Sequence, residues 1–301
     1  MSNFHETSYT VQRKHIEKKL ENQGIDEFLF SIKNKDCVST QLSLQSLKIL
    51  KPFFVKDERW LTIGDYYGLE AAYLKENGTI ATASDISDAI ISKVHELNYI
   101  YDYKAINVEN IDYADNSFDY VFCREAFHHF PRAYLGLYEM IRVADKAAII
   151  IEPIDILAKM PVLLFVKNIL DRINPLLINK FWKNRFSFEF IGNYVFKISE
   201  REVEKIAMGI GLPCIAFKPI NGDFSHVSNP THKEIPLNKK AWNKVMRKLK
   251  FLDFLNFLTL IPKNSLCCVV FKQAPNKELI SKLKKEGYTI IELPKNPYIK
   301  E

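Results

Sequence analysis

The sequence predicts an α/β domain built on a doubly wound, mostly parallel sheet of seven strands, and three observations carry that expectation. From residue 60 onward, short apolar runs alternate with helix-like segments, the pattern of strands joined by helical crossovers. The first run, Trp60–Ile63, ends at Gly64, turns through three residues to Gly68 and enters an amphipathic segment. Two more apolar runs, Cys214–Lys218 and Leu266–Lys272, return after a long interruption. A helical N-terminal flank and an inserted helical cap complete the expected architecture.

Residues 1–58 read as a helical flank or lid. Gln12–Leu20 and Asp26–Ile32 suit helix, and Gln41–Leu50 repeats leucine at Leu42, Leu44, Leu47 and Leu50. Lys51-Pro52 closes the block, because proline pushes the preceding residue out of the helical region. Residues 59–153 form the expected core. Its strands fall at Trp60–Ile63, Thr79–Ser84, Tyr103–Val108, Tyr120–Cys123 and Ala147–Ile151, with helices over Leu69–Glu76, Ser87–Leu97 and Ala133–Val143. After Pro153 the alternation stops, so residues 154–198 are assigned to the inserted cap. The core resumes over 199–301. There Ser199-Glu200-Arg201-Glu202 has the form of a capping box, and a basic helical insertion is expected near 239–258. A last helix over Asn276–Lys285 stops at Gly287.

Bulk composition excludes several classes. A hydrophobic content of 47% with 26% charged residues is that of an ordinary globular protein. No apolar run is long enough to span a bilayer, and the N-terminus lacks the basic and apolar blocks of a signal peptide. The five cysteines show no C-x-x-C spacing, so neither a disulfide framework nor a metal site is expected. These features predict a cytoplasmic protein, and the Lys, Ile and Asn usage points to an AT-rich bacterial genome.

The chemistry begins with Asp85, which closes the second strand 21 positions beyond Gly64. An acidic side chain there can accept both ribose hydroxyls of a nucleoside ligand bound over the glycine turn. It can equally cap the helix that starts near Ser87. Nicotinamide-dependent oxidoreductases and S-adenosylmethionine (SAM) enzymes both fit these features.

The next block separates them. Asn107–Phe122, with Asp115-Asn116-Ser117-Phe118-Asp119 at its centre, and Phe127-His128-His129-Phe130-Pro131 resemble the class I SAM-dependent methyltransferases that act on small molecules. Glu139, Arg142-Val143 and Ile151-Glu152-Pro153 continue the resemblance in order. It implies a Rossmann-like methyltransferase fold and SAM as cofactor. By position it assigns Gly64, Asp65 and Gly68 to the loop beneath the methionine part, Asp85 to the ribose and Ile86 to adenine. Asn107 would face the adenine amine and Val108 would offer its N–H to the ring. Arg124 and Glu125 would stand near the sulfonium. Thr62, Tyr66 and Asn107 depart from the family, which usually has an acid, a glycine and an aspartate there.

Methyl transfer is an in-line displacement that needs positioning, water exclusion and, for a hydroxyl acceptor, proton removal. His128 follows the fourth strand and titrates near neutrality, which makes it the first candidate for general base or acceptor positioning. His129 and Glu125 are further catalytic candidates, with Glu152 in reserve, and His226 could line the acceptor pocket. The bland alternative is that the His pair only shapes its loop. The reading is a methyltransferase acting on a small molecule or glycan, at oxygen. The tail Glu292–Tyr298 is similar to that of methyltransferases from bacterial surface-polysaccharide clusters. The alternatives are a catalytically inactive SAM-fold binding or regulatory protein, and an NAD(P)-dependent oxidoreductase.

The net charge of +6 is concentrated in two segments, 159–185 and 239–250, each with six basic residues. Leu163, Val166, Leu170, Ile173 and Leu177 form one apolar stripe; Trp242, Val245, Met246, Leu249 and Leu252 form another. Such helices build an acceptor pocket, or rest on an anionic membrane surface and receive a lipid-linked acceptor. The second option places the protein at the inner face of the membrane. Nucleic acid is not expected, because the basic residues lack a basic–aromatic groove pattern.

Overall fold

A computed structural model of the chain describes residues 4–155, 159–174, 176–177, 187–189, 193–221 and 239–298. Three helices lead: α1 (Phe4–Gln23), α2 (Ile25–Lys33) and α3 (Val38–Leu47), followed by a tight 3-10 turn over Lys48–Phe53. The core then runs β1 (Arg59–Ile63), α4 (Leu69–Glu76), β2 (Ile80–Asp85), α5 (Ile91–Glu96), β3 (Asp102–Ala105) and β4 (Phe118–Arg124). A short turn over Phe127–His129 precedes α6 (Ala133–Val143) and β5 (Ala144–Pro153). The remainder is α7 (Pro161–Ile173), α8 (Glu200–Gly209), β6 (Cys214–Ile220), α9 (Lys239–Phe257), β7 (Ser265–Phe271), α10 (Lys277–Glu286) and β8 (Thr289–Glu292).

The strands form one sheet in the order β3-β2-β1-β4-β5-β7-β6-β8. Strands β1 to β5 are mutually parallel, and β7 runs antiparallel between β5 and β6. The sheet is therefore doubly wound and mostly parallel, with eight strands rather than the expected seven. The extra strand, β8, pairs antiparallel with β6 at the sheet edge. It has only four residues and directly follows the Gly287 helix stop (φ 89°), so its apolar alternation was too short to register in the sequence.

Every residue of β1 after Arg59 is buried, because helices cover both sheet faces. Trp60, Tyr120, Phe122 and Phe271 face a core shared with α2, α4, α5 and α10. Leu61, Val121, Ile150 and Val270 face the opposite core against α6 and α8. An aromatic cluster ties the chain's ends to the sheet centre: Phe53 stands 5.6 Å from Tyr120 and 6.1 Å from Tyr288, ring centre to centre. The Tyr288 hydroxyl donates to the Ile49 carbonyl at 3.0 Å. All five cysteines are buried.

Strand order places the ligand crevice. The chain lays β1, β2 and β3 outward in one direction, then returns to place β4 on the other side of β1. That reversal opens a crevice at the carboxyl ends of β1 and β4, where ligands of open α/β sheets bind.

Lys272, directly after β7, closes the end of α6. Its ammonium donates to the carbonyls of Arg142 (2.9 Å) and Ala144 (3.0 Å) and to Asn116 Oδ1 (2.7 Å). Terminal helix carbonyls lack partners of their own and attract cations. Lys272→Met is therefore expected to lower stability by about 1–3 kcal/mol in urea unfolding, the scale of hydrogen bonds from a charged group.

Candidate active site

The crevice is built first by a glycine. Gly64 leaves β1 with φ 67°, and a Cβ placed there would lie 2.3 Å from the Ala126 Cβ. Only a residue without a side chain lets the turn after β1 touch the turn after β4. Gly68 (φ 74°) starts α4, with its Cα packed toward Val94 and Ile100. Gly64 lines the cavity; Gly68 lies behind it, among the buried side chains.

Beneath this turn runs a buried polar chain. The Thr62 hydroxyl donates to Asp65 Oδ2 at 2.9 Å. Asp65 accepts the N–H groups of Glu70 (3.2 Å) and Ala71 (2.8 Å) and so caps the start of α4. Asp65 is thus turned into the protein rather than toward the cavity. Glu70, which does line the cavity, pairs with Arg124 through the guanidinium Nε at 2.7 Å and through Nη2. Burial opposes the charge on Glu70, and Arg124 outweighs it, holding that carboxyl below its ordinary value. Burial and the neighbouring Glu70 raise Asp65 well above its own. Position 62, where the resemblance implies an acid, holds a threonine, and the carboxyl of Asp65 three residues on is bonded to it.

The end of β4 carries the titratable cluster. Glu152, fully buried at the end of β5, accepts the N–H groups of Ala126 and Phe127 through one oxygen, both at 2.7 Å. Its other oxygen meets His128 Nδ1 at 2.6 Å. Burial opposes an imidazolium at His128, but the bond and charge of Glu152 prevail and raise its pKa. With Nδ1 engaged, Nε2 is the ring nitrogen left for a ligand. His129 pairs instead with Glu189, Nδ1 to Oε2 at 2.6 Å, and its ring lies 4.1 Å from that of His128, centre to centre, tilted by 45°. Ligand-type atoms of His128, His129 and Glu189 lie within 4.8 Å of one another. Within the cluster each Nδ1 is engaged by a carboxylate, which makes two hydrogen-bonded pairs.

Glu125 stands apart from these pairs. Its φ is 53°, uncommon for a residue with a side chain. Its Oε1 is buried without a hydrogen-bond partner. Burial, then the negative charge of Glu152, push its pKa up to about 7.

Across the crevice, Asp85 ends β2 and is raised to about 7 by burial. Its carboxyl accepts a long hydrogen bond from the Ser87 N–H, 3.4 Å, so it both begins the following turn and borders the cavity. Ile86 and Val108 add apolar walls. Asn107 does not border the cavity; its Oδ1 accepts the Glu109 N–H at 3.0 Å and shapes the local turn. Tyr66 turns its ring edge-on to Phe28 (5.6 Å) beneath the Lys19 ammonium, forming wall rather than floor. His226 lies outside the described residues.

These elements enclose a cavity of about 490 Å³, within the range of small-ligand sites. Its remaining wall comes from α1, through Tyr9, Gln12, His15, Ile16 and Lys19. The helix is tied down by Gln12 Nε2 donating to the His129 carbonyl (3.2 Å) and Arg13 Nε to the Ile86 carbonyl (3.2 Å). Among the described residues, the insertion over 154–198 contributes only Glu189 to this lining. Sequence reasoning missed the α1 residues and Glu189, which carry no motif. Glu70 was discoverable, since an acid in the first turn after the glycine loop is itself a signal.

The Gly64 contact generates a test. Gly64→Ala is expected to lose about 2–4 kcal/mol in urea unfolding, combining overpacking with left-handed strain. Gly78→Ala has a similar φ (84°) with nothing within 4 Å of its Cβ, so it should lose only the strain portion, about 1–2 kcal/mol.

Residues 61–151 match the family model described as a methyltransferase domain. No curated protein matches the chain. Among solved structures, magnesium protoporphyrin IX methyltransferase from Synechocystis with bound S-adenosylhomocysteine is 14% identical, with 72% of this chain and 94% of that one covered at a TM-score of 0.47. A SAM-dependent methyltransferase from Archaeoglobus fulgidus is 15% identical, with 77% and 94% covered at 0.48. Phosphoethanolamine N-methyltransferase 2 from Haemonchus contortus is 16% identical, with 76% and 52% covered at 0.47. The matched segment spans β1 to β5 and the crevice they form, so the likeness to a methyltransferase domain falls on the part of the chain that builds the cavity.

Proposed function

We propose that the chain is a SAM-dependent methyltransferase that acts on a hydroxyl oxygen of a small-molecule or glycan acceptor. The observation that carries this reading is the Glu152–His128 pair, set in the same cavity as the Gly64 turn and Asp85. The cavity fits the cofactor. Gly64 allows backbone approach, Asp85 offers a buried carboxyl with one long bond of its own, and Ile86 and Val108 offer flat apolar contact. When bound, SAM supplies a methyl group activated by a positive sulfur.

This chain's residues do the rest. Asp85 accepts the two ribose hydroxyls. The Glu70–Arg124 pair borders the site without adding net charge. His128 takes the acceptor's hydroxyl proton at Nε2 as the oxygen attacks, and Glu152 fixes the tautomer and stabilises the imidazolium that forms. His129, held by Glu189, packs against His128 and sets its ring plane. Helix α1 covers the opening and excludes water.

Calorimetry with SAM, S-adenosylhomocysteine and NADH tests the reading. SAM and its demethylated product are expected to bind and NADH is not. Asp85→Ala should weaken both by about 10–100-fold, the loss of charge-assisted hydrogen bonds. Binding of NADH alone overturns the reading in favour of an oxidoreductase. Binding of SAM without turnover on any hydroxyl acceptor favours a regulatory protein.

The proposal includes a peripheral contact with an anionic membrane, where a lipid-linked acceptor would be met from the cytoplasmic side. What supports it is a second apolar row on α7. Val162, Phe165, Ile169 and Ile173 are 76%, 66%, 45% and 72% exposed, and α7 has no buried residue. Of the stripe expected from sequence, Leu163, Val166 and Leu170 are half-buried, whereas Ile173 falls on the exposed row. On α9, Val245 and Leu249 pack with Val38 of α3, while Phe251, Phe254 and Phe257 of the last turns are exposed. Exposed aromatics beside Lys and Arg suit an interfacial helix. No helix among the described residues is long and apolar enough to cross a membrane. The chain should pellet with vesicles containing anionic lipid at low salt and not with neutral ones, and Phe165→Asp should reduce the pelleted fraction. Equal recovery in the supernatant with both vesicles removes the membrane contact.

A further inference from the structure

We propose that Glu125 reads the charge on the sulfur of the bound ligand, favouring the sulfonium donor over the neutral thioether product; the inference rests on SAM being the cofactor of this cavity. The geometry fixes Glu125 in the cavity wall. Its N–H donates to the Ile151 carbonyl at 2.9 Å, which fixes its backbone to the end of β5. The next residue, Ala126, occupies the space left by the missing side chain of Gly64. The carboxyl therefore borders the cavity beside the glycine turn. The left-handed φ of 53° is a strained conformation that persists only where its surroundings impose it.

One oxygen of the carboxyl lacks what a buried anion needs, while the half-buried residue borders the cavity. Oε1 is sealed from solvent and has no hydrogen-bond partner. The charged groups around it are committed elsewhere: Arg124 to Glu70, and His128 to Glu152. From α1, His15 and Lys19 border the same cavity. With burial and Glu152 holding Glu125 near 7, its charge is set by small changes close to neutral pH. A sulfonium at this wall supplies the missing counter-charge and expels the proton. A thioether supplies no charge and shields the carboxyl further from water, so it favours the protonated form. Discrimination against the product results, and with it easier product release.

SAM and S-adenosylhomocysteine share the same amino-acid and adenosine parts. The ratio of their affinities therefore reports the sulfur charge, and the Glu125 variant separates the part of its pH dependence due to Glu125 from that of His128 in the same cavity. The test is calorimetry on the full chain with both ligands at pH 6, 7 and 8, each in two buffers of different ionisation enthalpy. The product-to-donor Kd ratio is expected to rise about tenfold between pH 6 and 8, the change for one proton linked near pH 7. SAM binding at pH 6 should release protons and product binding should not. Glu125→Gln should flatten the ratio. A wild-type ratio constant within about twofold overturns the proposal, since a linked proton must appear as a slope. An unchanged slope in Glu125→Gln also overturns it. Failure of both ligands to bind at every pH overturns the cofactor reading and this inference with it, whereas binding of both at a constant ratio overturns the inference alone.

Discussion

Glu152 ends β5 with no solvent contact, and three groups from the turn after β4 converge on its two oxygens. A carboxylate in that position cannot be left half-satisfied, because each N–H it accepts would otherwise be buried without a partner, at about 1–3 kcal/mol apiece. The turn after β4 is therefore held in one shape. That shape puts Glu125 into a left-handed backbone conformation, presses Ala126 against Gly64 and leaves His128 with one nitrogen toward the cavity. Site geometry and fold stability share one side chain.

The opposite wall obeys the same logic with different chemistry. Thr62, Asp65, Glu70 and Arg124 form a buried series in which a helix start and an ion pair are joined. Side-chain exposures of 10% and 11% for Arg124 and Glu70 make the pair a buried one. Removing one partner from such a pair typically costs about 3–5 kcal/mol, since the other charge is left uncompensated. The polar groups beneath the turn are satisfied internally, and the ionised carboxyl that borders the cavity comes from the first turn of α4.

Helix α1 contributes through contact rather than through the sheet. Two hydrogen bonds to main-chain carbonyls, at His129 and Ile86, hold it over the crevice from opposite sides. Bonds to backbone carbonyls put few demands on the partner's side chain, so the wall can vary in sequence while staying in place. That wall of the cavity is thereby set by residues close to the start of the chain. The α7 insertion instead presents an apolar row to the outside.

Much of the central fold was legible because it rests on local rules. The alternation from Trp60 to Ile151 reports which backbone segments are buried, and Gly64 reports a positive φ at the close approach to β4. The interval to Asp85 reports one crossover of a parallel sheet. The two-histidine run could be placed after β4 for the same reason. Other features had no local signature. Strand β8 is four residues at an edge, and α7 carries two apolar rows whose exposure depends on what packs beside them. Asp65 and Asn107 could point into the crevice or away from it until the neighbouring N–H groups drew them inward. By itself, then, the sequence determined the strand–helix order, the glycine turn and the acid at the end of β2, since backbone sterics and periodicity act over a few residues. Only the tertiary structure decided that Glu152 would orient His128, that one oxygen of Glu125 would be left without a partner and which residues of the N-terminal flank would line the site. Those outcomes depend on contacts between segments distant in the chain, and such contacts exist only once the sheet has brought the segments together.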